Sequence, residues 1–252
     1  MNESDIVAHI RALRDCNQRG GRMLSLVDLV EAGTADLPLA AYLGAVMRGG
    51  GSLLVGARPG GAGKTAVMVA LLNFLPDETA IQPIEGPSVL RRALEDTAYG
   101  ETCYLAHEIG DGFYYAYIWD EEARLFFRLA HQGHIVASNL HADTLSEMQA
   151  QLCGQLRVDP AHLAAVTLKV FLRTRRGPDF RMRRWVSHVY ESDGETDRLV
   201  WSAQRQGVFN REAESRIVTP DAESEVSTLL ASLQSQSANT IEEVRRAVVE
   251  KL

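Results

Sequence analysis

Apolar residues recur at helical spacing through the first fifty residues of the chain. A helix is expected over residues 4–17, with Ile6, Ile10 and Leu13 on its apolar face. Two more helical patterns follow at residues 24–30 and 37–47. Three consecutive glycines, Gly49 to Gly51, end the last of them. The pattern therefore predicts a short helical segment at the start of the chain.

The period then changes to short apolar runs that alternate with helical stretches. The predicted strands are residues 52–55, 80–84, 104–106, 114–119 and 135–140, and the predicted helices are residues 66–74, 88–95, 121–131 and 144–156. Strands that alternate with helices are typical of a mostly parallel sheet with helices on both faces. The fold class expected for this part is α/β.

From residue 166 the pattern becomes β-rich. Three stretches, residues 166–176, 180–192 and 198–204, are separated by turn signals at 177–179 and 193–195, which indicates an antiparallel meander. Residues 222–252 look helical, with a polar interruption at 234–240. We therefore divide the chain into a short helical N-terminal segment, a core that includes the β meander and a C-terminal helical tail, at residues 1–50, 51–212 and 213–252.

Composition and charge narrow the class of protein. The chain has 252 residues, of which 46% are hydrophobic, and a net charge of −7. That charge argues against a surface that binds nucleic acid throughout. No apolar run reaches the length of a membrane span, and the acidic N-terminus is unlike a signal peptide. Three distant cysteines (Cys16, Cys103, Cys153) favour a reducing compartment. We expect a cytoplasmic protein that meets a membrane only through a partner.

Residues 58–65 occupy the register of a Walker A phosphate loop. The small residues let backbone N–H groups turn toward phosphate oxygens, and the following helix presents free donors to the same anion. Lys64 would reach the β- and γ-phosphates, and the Thr65 hydroxyl would hold Mg²⁺. The expected nucleotide-binding residues are Gly60, Gly61, Ala62, Gly63, Lys64, Thr65 and Ala66. ATP and Mg²⁺ are the expected ligands; the alternative is an ordinary glycine-rich turn.

Several further stretches match one known family. Residues 25–34 resemble its lead-in to the nucleotide strand, residues 84–87 its acidic box, and residues 133–144 its histidine box. Residues 183–191 resemble its late arginine-rich strand more loosely. From about residue 24 to 210 the chain thus resembles the secretion and pilus-motor ATPases of type II and type IV secretion. The resemblance implies a RecA-like P-loop NTPase core, a hexameric ring, and a protein partner in a secretion or pilus-like machine peripheral to a membrane complex.

Four departures from the family pattern bear on activity. Arg58 stands where the strict phosphate loop has glycine, and Gly86 replaces the usual aspartate of the acidic box. The family's Walker B glutamate position, counted back without gaps from Gly133-His134, falls on Tyr117. About fifty residues precede the loop, in place of the family's separate N-terminal domain. The first three departures, at Arg58, Gly86 and Tyr117, leave open an alternative in which hydrolysis has been lost.

The acidic residues leave the catalytic and metal assignments open. Glu85, at a strand end, could orient the attacking water, or it could be a solvated glutamate before a turn. The apolar run at 114–119 ends in Asp120-Glu121, so Asp120 could hold Mg²⁺ through water and Glu121 could be the base. Glu108 is the second candidate for the metal acid.

Histidines and arginines complete the expected site. The resemblance implies that His141 senses the γ-phosphate and that His134 supports the site; the alternative for each is a structural role. Six arginines lie between residues 173 and 184. They form either a solvated sheet face or a subunit contact, in which Arg183 and Arg184 would reach a neighbour's phosphates. A nucleic-acid surface is the third possibility.

The sequence thus predicts an ATP-binding and ATP-hydrolysing motor domain. The alternative is a nucleotide-binding regulatory or structural protein without hydrolysis, and the third hypothesis is a nucleic-acid translocase.

Overall fold

Nine strands form one mixed sheet in residues 3–17, 20–58, 60–112 and 114–252, which the computed structural model describes. The strands are β1 (Leu53–Gly56), β2 (Ala80–Pro83), β3 (Thr102–Ile109), β4 (Tyr117–Ile118), β5 (Ile135–Leu140), β6 (Leu168–Arg176), β7 (Met182–Ser192), β8 (Asp197–Arg205) and β9 (Val208–Arg211). Their order is β2-β3-β5-β1-β6-β7-β8-β9, and β4 pairs with the end of β3.

The sheet changes direction at β6. Strands β1 to β6 pair in parallel, whereas β6, β7, β8 and β9 follow one another antiparallel. The expected α/β fold, with a mostly parallel sheet followed by an antiparallel meander, is confirmed. The meander has one strand more than the sequence pattern predicted, because β9 returns through a tight turn at Gly207, whose φ is 78°.

Ten α-helices lie in the described ranges. They are α1 (Glu3–Asp15), α2 (Leu26–Glu31), α3 (Leu37–Arg48), α4 (Lys64–Leu72), α5 (Pro87–Ala93), α6 (Asp120–Gln132), α7 (Leu145–Gln149), α8 (Pro160–Ala164), α9 (Pro220–Ser235) and α10 (Ile241–Lys251). A π-helical turn, Ala150–Gln155, continues α7. None of these helices is both long and apolar enough to cross a membrane.

Helices cover both faces of the sheet because successive strand residues point to opposite sides. Leu53 and Val55 of β1 pack in a core with α1 to α4, α9 and α10, whereas Leu54 packs in a second core with α5 to α8. The first core joins the N-terminal helices, the central strands and the C-terminal helices. The three segments expected from the sequence therefore share one hydrophobic layer.

The expected strand at 114–119 is much shorter in the structure. Only Tyr117–Ile118 pairs with β3, since Ala116 and Asp120 have φ angles of 54° and 45°. Both angles lie in the left-handed region, which interrupts an extended backbone. As a result Asp120 begins α6 and does not end a strand.

Candidate functional site

A glycine-rich loop joins the end of β1 to the start of α4. Gly61 and Gly63 have φ angles of 81° and 98°, a backbone conformation that favours glycine. Gly63 is the N-cap of α4 and offers no side-chain acceptor. The N–H groups of a first helical turn point out of the helix and form a binding site for an anion. Pro59, within the same motif, lies outside the described residues.

The ammonium group of Lys64 is folded into the loop. Its Nζ donates to the carbonyl oxygen of Ala57 at 3.2 Å and lies 3.8 Å from Oε1 of Glu108. Both side chains are largely buried, with 9% and 10% of their surface exposed. A buried cation beside a buried carboxylate is stabilised by the opposite charge.

Besides Lys64, Glu108 contacts the side chains of His141 and Tyr117. Its Oε1 lies 2.5 Å from Nε2 of His141, and its Oε2 accepts a hydrogen bond from the Tyr117 hydroxyl at 3.4 Å. The other ring nitrogen of His141 lies 2.9 Å from the carbonyl oxygen of Arg58. Lys64, His141 and Glu108 are thus brought together around the phosphate loop.

Asn139 lies between the loop and β3. It is fully buried on β5, and its amide donates to the carbonyl oxygen of His107 at 2.9 Å. The same amide lies 3.5 Å from the Thr65 hydroxyl. Asn139 therefore links the hydroxyl expected to hold Mg²⁺ to the strand that carries Glu108.

Lys64, Thr65, Glu108, Tyr117 and His141 line a cleft of about 650 Å³ at the carboxyl ends of the parallel strands. The volume is in the range of small-molecule sites in proteins, and the edge is where open α/β sheets bind ligands. All seven residues expected to bind the nucleotide, from Gly60 to Ala66, line the cleft together with Glu108, Tyr117, His141 and Arg184.

The two arginines expected to act together are separated. Arg184 lines the cleft, and its Nε donates to the carbonyl oxygen of Gly61 at 2.9 Å. Arg183 points to the other face of β7, as alternation along a strand requires, and lies 4.0 Å from Asp179. Arg184 thus contacts its own chain's loop, and Arg183 lies outside the cleft.

Three acids expected from the sequence lie outside the cleft. Glu85 accepts a hydrogen bond from Tyr115 at 3.3 Å, and burial, with the charge of Glu85, raises the pKa of Tyr115 to about 12. Glu121 lies 3.7 Å from Arg91, and Asp120 begins α6. None of the three is among the described residues that line the cleft. The acid beside Lys64 is Glu108, the residue before the last of β3, two strands from β1.

His134 lies at the opposite edge of the sheet from His141, since the two flank β5. Its Nε2 is 3.3 Å from the carbonyl oxygen of Asp96, and its ring packs edge-on against Tyr99 and Tyr104. These contacts indicate a structural role for His134.

Several residues at the site were not singled out from the sequence. Those that line the cleft come from distant elements and include Cys16, Asn17, Arg22, Leu24, Leu29, Thr34, Met182 and Gln206. Asn139 is not among the lining residues but contacts Thr65, and a buried asparagine in the middle of an apolar strand was a signal for it. Burial raises the pKa of the Cys16 thiol to about 12, so this cysteine is protonated at neutral pH and is a poor nucleophile.

No group of three or more His, Cys, Asp or Glu side chains in the described ranges could hold a metal ion. Thr65 and Glu108 supply oxygen atoms, which Mg²⁺ prefers, and Mg²⁺ in nucleotide sites takes its other ligands from phosphate and water.

Comparison with protein families gives a match in the C-terminal part of the chain. A model for a family of unknown function, DUF5789, matches residues 191–252, from the end of β7 through α10. A comparison with curated proteins finds no match to this chain.

The solved structures that are similar to this chain in part include two ATPases. The VirB11 ATPase from the Brucella suis type IV secretion system, solved with sulphate, is 20% identical, with 66% of this chain and 54% of that chain covered and a TM-score of 0.44. The Legionella pneumophila ATPase DotB is 11% identical, with 92% and 64% covered and a TM-score of 0.46. The chain spans less than two thirds of the length of either protein. The function proposed below therefore rests on this chain's own residues.

Proposed function

We propose that the chain binds ATP with Mg²⁺ in the cleft and hydrolyses it. The observation that carries the proposal is the meeting of Lys64 and Glu108 at a glycine-rich loop that opens directly into α4. The loop offers N–H donors and the positive end of a helix dipole to phosphate oxygens. With a nucleotide bound, the Lys64 ammonium would lie between the negative phosphates of the ligand and the Glu108 carboxylate. These charges are those that a nucleotide site requires.

The roles of the site residues follow from their positions. Lys64 would neutralise the β- and γ-phosphates, and the Thr65 hydroxyl would hold Mg²⁺. Glu108, in place of Asp120, would bind Mg²⁺ through water or orient the attacking water. His141 would hold the Glu108 carboxylate in place and reach the terminal phosphate. Arg184 would approach the phosphates from the side of β7.

A second candidate function is nucleotide binding without turnover. It is favoured by the contacts of Glu108, whose two oxygens already meet Lys64, His141 and Tyr117. A carboxylate held by these contacts has fewer free acceptor positions for an attacking water. The two functions share the binding site and differ only in the rate of hydrolysis.

The wider role, a ring-forming motor with a protein partner in a secretion or pilus-like machine, is proposed from the sequence resemblance.

Calorimetry with Mg²⁺-ATP tests the binding site. Lys64→Ala should weaken binding at least about tenfold, because a charge-assisted hydrogen bond contributes roughly 1.5–3 kcal/mol. Lys251→Ala is the matched control, since Lys251 is an exposed lysine at the end of α10. It should bind as the wild type does. Absent binding by the wild type, or equal affinity in Lys64→Ala, would contradict the proposal.

A further inference from the structure

Arg58 stands where the strict phosphate loop has glycine, and its guanidinium is paired with the carboxylate of Glu147. Its Nε donates to Oε2 of Glu147 at 3.1 Å, and its Nη2 lies 3.0 Å from Oε1 of the same carboxylate. These two contacts form the bidentate geometry that arginine makes with a carboxylate and that lysine cannot reproduce. Glycine at this position would supply neither contact.

The backbone of Arg58 is hydrogen-bonded to the segment that follows β5. Its N–H donates to Oδ1 of Asp143 at 2.8 Å, and its carbonyl oxygen lies 2.9 Å from Nδ1 of His141. Because a carbonyl oxygen only accepts, Nδ1 carries the proton of that hydrogen bond. The start of the phosphate loop therefore orients the imidazole ring whose Nε2 contacts Glu108.

Glu147 joins this segment to the first turn of α7. Its Oε2 also accepts a hydrogen bond from the Asp143 N–H at 2.8 Å, and its own N–H donates to the Thr144 hydroxyl at 3.2 Å. The Glu147 carboxylate thus meets the guanidinium of Arg58 on one side and the backbone two residues after His141 on the other. Both ends of the contact between the phosphate loop and His141 depend on this one acid.

The backbone at position 58 does not require glycine. Gly61 and Gly63 have positive φ angles, whereas Arg58 is not among the described residues with a positive φ, so an arginine fits there without strain. Arg58 is also not among the described residues that line the cleft. Its effect on the site passes through the residues that it contacts.

We propose that Arg58 is a positioning residue of the nucleotide site. Through Asp143 and Glu147 it holds the start of the phosphate loop against the segment after β5, and it thereby keeps the His141 ring against the Glu108 carboxylate. The inference rests on the proposed function, because the groups that Arg58 positions are those assigned to the phosphates and to the attacking water. The departure from glycine then orders the site.

The His141 ring reports this arrangement without a ligand. In NMR spectra of protein isotope-labelled at the histidine nitrogens, the wild type should show an Nδ1–H signal that His141→Gln removes, because the Arg58 carbonyl slows exchange of this proton with water. Arg58→Ala should broaden or abolish the signal. Arg14→Ala is the matched control, since the Arg14–Glu242 pair has side-chain exposures of 64% and 29%, close to the 62% and 35% of the Arg58–Glu147 pair.

Turnover and binding should respond differently to Arg58→Ala. The rate constant kcat should fall about tenfold or more, because a small displacement of positioned groups slows a reaction. The Kd for Mg²⁺-ATP from calorimetry should stay within about threefold of the wild type, because Lys64 and the loop N–H groups remain. Arg58→Lys should recover part of the rate, since it restores the charge without the fork.

A double variant shows whether Arg58 acts through Glu147. In a chain that already carries Glu147→Ala, Arg58→Ala should cause little further loss of rate, because residues that act as one unit are not additive. Equal and independent losses from the two substitutions would contradict this route. If Arg58→Ala does not fold, Arg58→Lys and Glu147→Gln decide by the same NMR signal.

The remaining outcomes separate the two proposals. A wild type that binds no Mg²⁺-ATP shows that the proposed function is wrong, whereas the NMR comparison still shows whether Arg58 holds the ring. If the wild type binds ATP without turnover, loss of the His141 signal in Arg58→Ala supports the positioning role. If Arg58→Ala keeps both the signal and the rate, or changes them no more than Arg14→Ala does, the nucleotide site stands and the positioning role is wrong.

Discussion

At the scale of single residues, turnover should depend on Glu108. Glu108→Gln keeps the size of the side chain and an oxygen for the Tyr117 hydroxyl, but it removes the negative charge. We expect ATP binding to survive and Mg²⁺-dependent phosphate release to fall by about two orders of magnitude or more, as for the loss of a positioned base.

Two other glutamates serve as matched controls in the same assay. Glu85→Gln and Glu121→Gln change exposed acids that lie outside the cleft, and their rates should stay close to that of the wild type. A loss of rate in either control as large as that in Glu108→Gln would overturn the assignment of Glu108. An absence of turnover in the wild type would favour the nucleotide-binding protein without hydrolysis.

Local sequence was enough to select the loop residues that line the cleft, because small residues, a lysine and a hydroxyl in that register serve one chemistry. His141 was selected through the family resemblance. Local sequence ranked Glu108 behind Asp120, since an apolar run before Asp-Glu resembles a strand with an acid at its end. The left-handed backbone at Ala116 and Asp120, which breaks that strand, has no marker in the sequence. The cleft joins elements that are far apart in the chain, and no local sequence pattern indicates that such elements lie together.

At the scale of elements, α4 is fixed at its C-terminal end by α10. The guanidinium of Arg245 is fully buried and donates to the carbonyl oxygens of Asn73, Leu75 and Pro76 at 3.1, 2.5 and 3.2 Å. The Asn73 amide donates in turn to the carbonyl oxygen of Ile241 at 2.7 Å. Burial lowers the pKa of Arg245 to about 10, so the group stays protonated at neutral pH. Arg245 thus supplies a donor to each of the three carbonyls that follow the helix, and those of Leu75 and Pro76 also accept from Arg48 and from the Thr79 N–H.

Arg245→Met should therefore destabilise the chain. The carbonyl oxygen of Asn73 would lose its bond to Arg245, and a buried carbonyl left without a donor costs about 1–3 kcal/mol. For a chain of this size 1 kcal/mol corresponds to a shift of about 2–4 °C in melting temperature. A fall of several degrees is expected in thermal denaturation followed by circular dichroism.

Arg246→Met is the matched control one residue away. Arg246 lies half-exposed and pairs with Glu3 at the surface, a contact that solvent screens, so its loss should change the melting temperature little. Equal melting temperatures for the two variants would show that Arg245 does not stabilise the junction of α4 and α10.

Most helices and strands could be predicted from the spacing of apolar residues in the sequence, because an apolar face repeats along each helix and each buried strand. The exceptions are short: β9 and α8 have four and five residues, too few for a period to be recognised. The helix expected over 144–156 is α7 followed by a π-helical turn, a local change in hydrogen bonding that composition does not indicate.

At the scale of the whole molecule, the hairpin of β6 and β7 presents an arginine-rich surface. Arg184 turns to its own cleft, whereas Phe180 at the tip is 78% exposed with the Arg176 guanidinium 5.8 Å from its ring centre. The other arginines of the hairpin are Arg173, Arg175, Arg181 and Arg183. An exposed aromatic ring among arginines is a composition found in protein interfaces. It suits the ring assembly that the sequence resemblance implies.

Arg183→Ala tests that assembly. In a head-to-tail ring of six subunits, Arg183 would reach the neighbour's phosphates, and its loss should lower turnover by about three orders of magnitude while ATP binding persists. The mass of the wild-type protein, measured by light scattering with Mg²⁺ and a non-hydrolysable ATP analogue, should rise with protein concentration. Arg11→Ala, an exposed arginine of α1, is the control. A wild type that stays monomeric throughout, or an Arg183→Ala protein that assembles and turns over like the control, would contradict the ring.

The position of β1 at the centre of the sheet has a consequence for synthesis on the ribosome. Its neighbours β5 and β6 begin at Ile135 and Leu168, so both edges of β1 stay unpaired until that part of the chain has been made. Unpaired strand edges on a nascent chain are sites of aggregation, and a very short edge limits the hazard. With only four residues, Leu53–Gly56, β1 exposes little backbone to other chains while it waits for its partners.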